Sequence, residues 1–379
     1  MKIAFVSDGV CPWNVGGIET IEYTEAASLA KTHEVHFFSL RWPGMKKNFI
    51  YKGIHYHAYH KTRKSKFYRH GRRSIREAIA FSLGIFNIFG YRFDVMEVNL
   101  FPVLHIPILK LYCKLTGCKL ILDVAEVWDK NYWVRYLGAF AGNAAYIYAT
   151  LFLKSADFYI ANCSDTAERL IERGVSKNMI GVFSPIIDDK RLKRINSTKK
   201  KRQIVFSGRL IKEKRLDKFI EVVKKVKERT GDVNAKIIGS GPERAKISRQ
   251  IKRNGLAGTV ALAPFYSERK KDALYREIKG SSVFLHMSER EGLSIMALES
   301  LALGTPVVLP SYSPIPKDVK EMCVVANERL LPSRIKNILN SRDASAFIKN
   351  KEMLRRFYIS NVENFYSGIF GNLGLGNMV

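Results

Sequence analysis

The sequence predicts an α/β protein with two doubly wound domains in tandem. Three observations lead there. Residues 2–7 (K-I-A-F-V-S) form an apolar run of strand length, as expected of a strand buried on both faces of a parallel sheet, and an alternation of strand-like and helix-like segments follows it. Residues 188–202 (D-D-K-R-L-K-R-I-N-S-T-K-K-K-R) break that alternation with a polar, mostly basic stretch that has no apolar period. The alternation then restarts at residues 203–207, and a chain of 379 residues is longer than one core usually serves.

In the first half, the loop 8–17 after the opening strand contains Pro12 and the pair Gly16-Gly17, and a helix is expected over 18–31. Strands are expected at 35–40, 54–60, 95–98, 119–124, 158–163 and 179–183, with helices at 75–89, 104–115 and 138–154 and another capped at Ser164 or Asp165. Together these make a domain over 1–187, and 188–202 reads as a linker. In the second half, over 203–355, strands are expected at 203–207, 235–239, 259–263, 283–287 and 305–309. Helices lie between them at 216–229, up to Asn254, at 268–278 and at 293–303, where Gly304 marks the end. A helical region over 332–370 closes the chain, and residues 356–379 are expected to pack back on the first domain.

Hydrophobic residues make up 46% of the chain and aromatics 11%, which excludes a disordered protein. The net charge is +28, from 63 Lys and Arg against 35 Asp and Glu. That excess points to an anionic partner (nucleic acid, acidic membrane or phosphate-rich substrate) or to the general composition of the host's proteins. The five scattered cysteines complete no metal site and read as reduced thiols, hence a cytoplasmic protein. Met1-Lys2 opens directly into a strand, so no signal peptide is expected. The most membrane-like run, 137–153, is short for a span and contains Asn143; it reads as a packed or interfacial helix. Residues 61–76 carry eight Lys and Arg with no acid, and an apolar helix follows, so this is a candidate membrane-facing surface or else a solvated basic loop.

The chemistry concentrates in S-E-R-E-G-L-S-I-M-A-L-E, residues 288–299. Glu291 stands at the expected helix entry and Glu299 eight residues later, about 12 Å along a helix axis. That is comparable with the span from a nucleotide's ribose to the sugar beyond its diphosphate. The helix N-terminus between them offers free N–H groups and a positive dipole end for phosphate. Gly292, Leu293 and Ser294 lie there, with the Gly and Ser small enough for close backbone approach. A dipole-complementing Glu followed by a solvated Glu would give the same spacing. Gly208-Arg209, at the end of the second domain's first strand, and Lys214 could neutralise a diphosphate or be ordinary surface cations. Gly16-Gly17 follows the first strand but is not a G-x-G-x-x-G fingerprint, which argues against a dinucleotide fold of the dehydrogenase type.

Taken together these residues resemble glycosyltransferase family 4, the retaining, sugar-nucleotide-dependent enzymes whose GT-B fold has two Rossmann-like domains facing across a cleft. The resemblance rests on Gly16-Gly17-Ile18-Glu19, on Ser155-Ala156-Asp157, and on Phe206-Ser207-Gly208-Arg209-Leu210 with Lys214. It continues through Ile237-Ile238-Gly239-Ser240-Gly241-Pro242, and through Glu291-Gly292 to Glu299 and Gly304-Thr305-Pro306-Val307-Val308. It implies that the second domain binds the donor and the first the acceptor. Arg209 and Lys214 would hold the diphosphate, with Gly16, Gly17, Gly239 and Gly241 in the donor-binding loops. Glu291 would position the sugar, Gly292 to Ser294 the distal phosphate, and Glu299 the ribose. No cofactor or metal is expected.

Two departures stand out. Where many relatives carry a first-domain His, this chain has Glu126 in D-V-A-E-V-W-D, which becomes the candidate to accept or orient the acceptor's proton, or a structural carboxylate. At 311–320, Pro314-Ile315-Pro316-Lys317 replaces a Gly- and Glu-containing loop. The expected partners are a nucleotide-diphosphate sugar, a glycan or polyprenyl-linked acceptor, and an anionic membrane met through 61–76. A sugar-nucleotide epimerase of the same two-domain shape is the alternative. A basic nucleic-acid binder is a further one, although no recognised nucleic-acid module is present.

Overall fold

The computed structural model describes the chain except for Val15 and residues 70–71, 197–200, 267–269, 292 and 377–379. It divides into two compact units, Met1–Ile186 with Arg356–Val379, and Ile187–Arg355.

The strands of the first unit are β1 (Lys2–Val6), β2 (Glu34–Arg41), β3 (Asn48–Tyr51), β4 (Ile54–Lys61), β5 (Tyr68–Arg69), β6 (Arg72–Arg73), β7 (Val95–Asn99), β8 (Lys119–Val124), β9 (Phe158–Ala161) and β10 (Ile180–Val182). Eight of them form one sheet in the order β10-β9-β8-β7-β1-β2-β4-β3, parallel except for the edge strand β3, while β5 and β6 make a separate hairpin. The order reverses between β1 and β7, the switch point of a doubly wound sheet. The helices are α1 (Gly17–Leu29), α2 (Lys64–Phe67), α3 (Ile75–Gly84), α4 (Ile106–Thr116), α5 (Lys130–Leu137), α6 (Ala139–Leu153) and α7 (Ser164–Glu172). Central strands such as β1 and β7 are buried almost end to end, which is why they read as apolar runs rather than alternating ones. Sequence reading missed β3, the β5–β6 hairpin and α5, all short or at an edge.

The second unit contains α8 (Asp189–Lys193), β11 (Lys201–Ser207), α9 (Leu216–Thr230), β12 (Asn234–Ile238), α10 (Arg244–Arg253), β13 (Val260–Ala263), α11 (Lys271–Gly280), β14 (Ser281–Leu285), α12 (Ile295–Ala302), β15 (Val307–Pro310), α13 (Lys317–Lys320), β16 (Val324–Ala326) and α14 (Leu331–Asn340). Its sheet is wholly parallel, in the order β13-β12-β11-β14-β15-β16, with the switch between β11 and β14. In α9, Leu216, Phe219, Ile220, Val223 and Val226 recur at helical spacing and are buried, and Gly231 ends the helix with a positive φ.

Three boundaries differ from expectation. Residues 188–202, read as a linker, fall in the second unit and hold α8, capped by the Asp188 carboxylate accepting from the Arg191 N–H at 2.9 Å, and β11 already begins at Lys201. The closing region is not one helix: α14 stops at Asn340, short 3₁₀ turns follow, and α15 (Val362–Asn372) belongs to the first unit. There Val362, Tyr366, Ile369 and Phe370 join the first unit's core. Finally, α12 starts at Ile295 rather than 293, because its capping residue Ser294 is extended.

Candidate active site

In the second unit the candidate residues gather at the carboxyl ends of three neighbouring strands. Gly208 and Arg209 follow β11, Gly239 and Gly241 follow β12, and Glu291 lies in the loop after β14. β11 and β14 are the switch-point pair, where open α/β sheets bind ligands.

The β11 and β12 loops are laid against each other. The Gly208 N–H donates to Ile238 O at 3.0 Å and the Leu210 N–H to Ser240 O at 2.9 Å. A Cβ at Gly239 would lie 2.0 Å from Gly208 O, and one at Gly241, whose φ is 155°, would lie 2.4 Å from Leu210 O. These two glycines are needed for backbone-to-backbone packing. Arg209 is exposed and pairs with no described acid.

The β11 and β14 loops are joined by charge. Lys214 and Glu291 form an ion pair, as do Arg215 and Glu289, and the Glu289 N–H donates to Glu213 O at 2.9 Å. His286, only 2% exposed, places Nε2 3.4 Å from the Glu291 carboxylate. Burial pushes the Glu291 carboxyl up, but the hydrogen bonds from His286 and Lys214 outweigh it and hold it at about 2, so it is an anion at neutral pH.

The two glutamates do not lie on one helix. Glu291 precedes α12 by several residues, so the 12 Å helical rise does not describe their separation. Glu299 lies within α12 and is 1% exposed; it accepts from the Tyr275 hydroxyl at 2.6 Å and pairs with Lys271 at 3.3 Å. The solvated-Glu alternative is thus excluded, and Glu299 is anchored to α11. Ser294 is buried and Leu293 partly buried; Gly292 lies outside the described residues.

In the first unit, Gly16 caps α1, and a Cβ there would meet the Glu19 carboxylate at 2.2 Å, so Gly16 makes room for that buried acid. Gly17 has open space where a side chain would be. Glu126 is exposed, beyond the end of β8, and accepts from the Trp128 indole N–H at 2.9 Å. Two features escaped sequence reading. His286 directly follows β14, and Asp8, beyond the end of β1, pairs with Arg73 at 2.9 Å while burial raises it to about 6. Each is a polar residue at the carboxyl end of a switch-point strand, and that position was the available signal.

Among the described residues no cluster of His, Cys, Asp and Glu is arranged to hold a metal ion, and no helix is long and apolar enough to cross a membrane. Cys11, Cys113, Cys118, Cys163 and Cys323 form no disulfide with one another.

Two parallel α/β sheets, each with glycine-containing loops beyond its switch-point strands, define the class of fold, and known proteins place it further. Residues 15–191 match the model for "Glycosyltransferase Family 4" and residues 188–355 that for "Glycosyl transferases group 1". The chain belongs to the family 4 glycosyltransferases of GT-B fold. It is similar to an uncharacterised glycosyltransferase of Haemophilus influenzae, 26% identical over 40% of each chain. It is also similar to the 2-deoxystreptamine N-acetyl-D-glucosaminyltransferase of Niallia circulans, 26% identical over 28% of this chain and 27% of that one. The chain thus matches less than half the length of these curated relatives. Among solved structures, Anabaena HepE in complex with UDP superposes with a TM-score of 0.70 at 12% identity, over 98% of this chain and 100% of that one. The lipopolysaccharide outer core galactosyltransferase WaaB gives 0.66 at 20%, over 98% and 100%. At these identities the likeness concerns the fold.

Proposed function

We propose that the protein transfers a sugar from a nucleotide-diphosphate sugar to a glycan or polyprenyl-linked acceptor, with retention at the anomeric carbon, in polysaccharide, glycolipid or protein-glycan assembly. The observation that carries this is the convergence of Arg209, the Lys214–Glu291 pair, and the Gly239 and Gly241 loop at the ends of β11, β12 and β14.

Arg209 and Lys214 hold the donor diphosphate and stabilise charge on the departing nucleotide, so neutralisation requires no metal ion. Backbone N–H groups at the start of α12 take the distal phosphate. Glu291, kept ionised, accepts sugar hydroxyls. Glu299, fixed by Tyr275, takes the ribose. UDP and UDP-glucose complexes of Anabaena HepE support a nucleotide-sugar donor. The first domain holds the acceptor, with Gly16 and Gly17 near the donor and Glu126 accepting or orienting the acceptor hydroxyl's proton. The enzyme works at the inner face of the cytoplasmic membrane, drawn to anionic lipid by residues 61–76.

Product analysis with a labelled sugar nucleotide tests this reading. Label moving to an acceptor supports it. Label found only in an epimer of the donor replaces it with an epimerase, and binding of nucleic acid without sugar nucleotide overturns both.

A further inference from the structure

Helix α6 is an anomaly. Its fifteen residues, A-F-A-G-N-A-A-Y-I-Y-A-T-L-F-L, include no acid, no base and no histidine, yet only Gly142 and Leu153 are buried. Phe140, Ile147 and Leu151 lie along one face and are 94%, 66% and 69% exposed. A helix apolar all round is normally buried or in contact with lipid. The orientation of α6 is fixed: a Cβ on Gly142 would meet Val134 Cα at 2.5 Å and Trp133 O at 2.6 Å, so that face is locked onto α5. The opposite face has no partner among the described residues.

We infer that the Phe140, Ile147 and Leu151 face of α6 inserts into the interfacial layer of an anionic bilayer, lying flat with the exposed cations Lys61, Arg63, Lys66 and Arg76 meeting the same headgroups. This rests on the proposed membrane-associated transferase and names the element that enters the lipid.

Charge selects the bilayer as occupant. Residues 130–154 contain Lys130, Arg135 and Lys154 and no acid, and residues 61–76 are equally acid-free. The two segments are joined, since the Arg73 N–H donates to the Tyr136 hydroxyl of α5 at 2.8 Å. From Arg73 the chain runs into α3, where Ile75, Ile79 and Leu83 form a second exposed apolar stripe at four-residue spacing. A symmetric contact between two copies would bring these like charges together, whereas anionic headgroups complement them. A fifteen-residue helix, about 22 Å long, is too short to span the hydrocarbon core but suits an interfacial position.

The test is flotation of the full chain with vesicles of phosphatidylcholine alone or mixed equally with phosphatidylglycerol. Wild type is expected to float with the mixed vesicles and to stay partly bound at high salt. The triple variant Phe140→Ser, Ile147→Ser and Leu151→Ser should lose the salt-resistant fraction, its partition falling on the order of tenfold or more. Phe140→Ser alone, at a position too exposed to disturb folding, should give a smaller fall. Replacing Lys61, Arg63, Lys66 and Arg76 by Gln should remove the low-salt preference for phosphatidylglycerol. Wild type that ignores both vesicles, or a triple variant that floats like wild type, overturns the inference. So does a wild-type dimer that the triple variant converts to monomer while vesicles recruit neither. Vesicle binding by a chain that binds no sugar nucleotide upholds this surface and sinks the transferase reading alone.

Discussion

Lys214 and Glu291, 77 residues apart in sequence, form an ion pair that joins the loops following the two switch-point strands of the second unit. The Lys214 ammonium is thereby engaged by a carboxylate, and a diphosphate reaching it must compete with Glu291. Lys214→Met is therefore expected to weaken donor binding by about ten- to a hundredfold, as read by calorimetric titration. Glu291→Gln should leave the donor bound and cut the transfer rate by about a hundredfold or more. Equal transfer rates in Glu291→Gln and wild type would remove Glu291 from the reaction.

His286 acts through Glu291. Its hydrogen bond favours the ionised carboxylate, so His286→Leu should raise the Glu291 pKa from about 2 toward the ordinary carboxylate range. The acidic limb of the pH profile of kcat/KM then moves to higher pH. His286→Gln, which can still donate, should hold the limb in place. An unmoved limb in the Leu variant would assign His286 to packing alone.

The crossing of the β11 and β12 loops leaves no space for a methyl group at residue 239. Gly239→Ala should cost about 1–3 kcal/mol of stability and disrupt donor binding, both readable in one thermal-shift series with and without nucleotide sugar. A variant as stable as wild type, with unchanged donor affinity, would contradict that packing.

How much of this was legible depended on whether the signal was local. Gly208-Arg209 and Gly239 to Gly241 could be placed at strand ends because each follows an apolar run. The start of α12 could not, since Leu293 stands three and four residues before Met296 and Ala297, at helical spacing, and only the extended backbone at Ser294 shows that Glu291 stands outside the helix. Nor does sequence spacing reveal that Glu22 and Glu25 of α1 are buried. Their surroundings come from β7, β8 and α15, and Tyr366 donates to Glu97 from 269 residues away. Acids normally stay in water, so local pattern gives no sign of such a cluster.

That cluster predicts an unusual pH dependence. Burial raises Glu22 and Glu25 well above the ordinary range, Glu97 to about 8 and Asp123 to about 7, with the neighbouring carboxyls adding to the first three. The folded state therefore holds protons that the unfolded chain releases from about pH 4.5 upward. The resulting stabilisation is fully present below that pH and is lost as the pH rises through about 7 to 8. The melting temperature should fall by about 5 °C or more between pH 5 and pH 9, and Glu97→Gln should flatten the decline. A melting temperature that rises over this range would show the cluster ionised in the fold.

Donor recognition at the switch point is the central claim, and thermal stabilisation of the full chain by UDP-, GDP- and ADP-sugars tests it most directly. At least one of them is expected to raise the melting temperature of wild type, with the shift lost when Arg209 and Lys214 are replaced together by Ala and Met. No shift with any of them, or the same shift in the double variant, would contradict it.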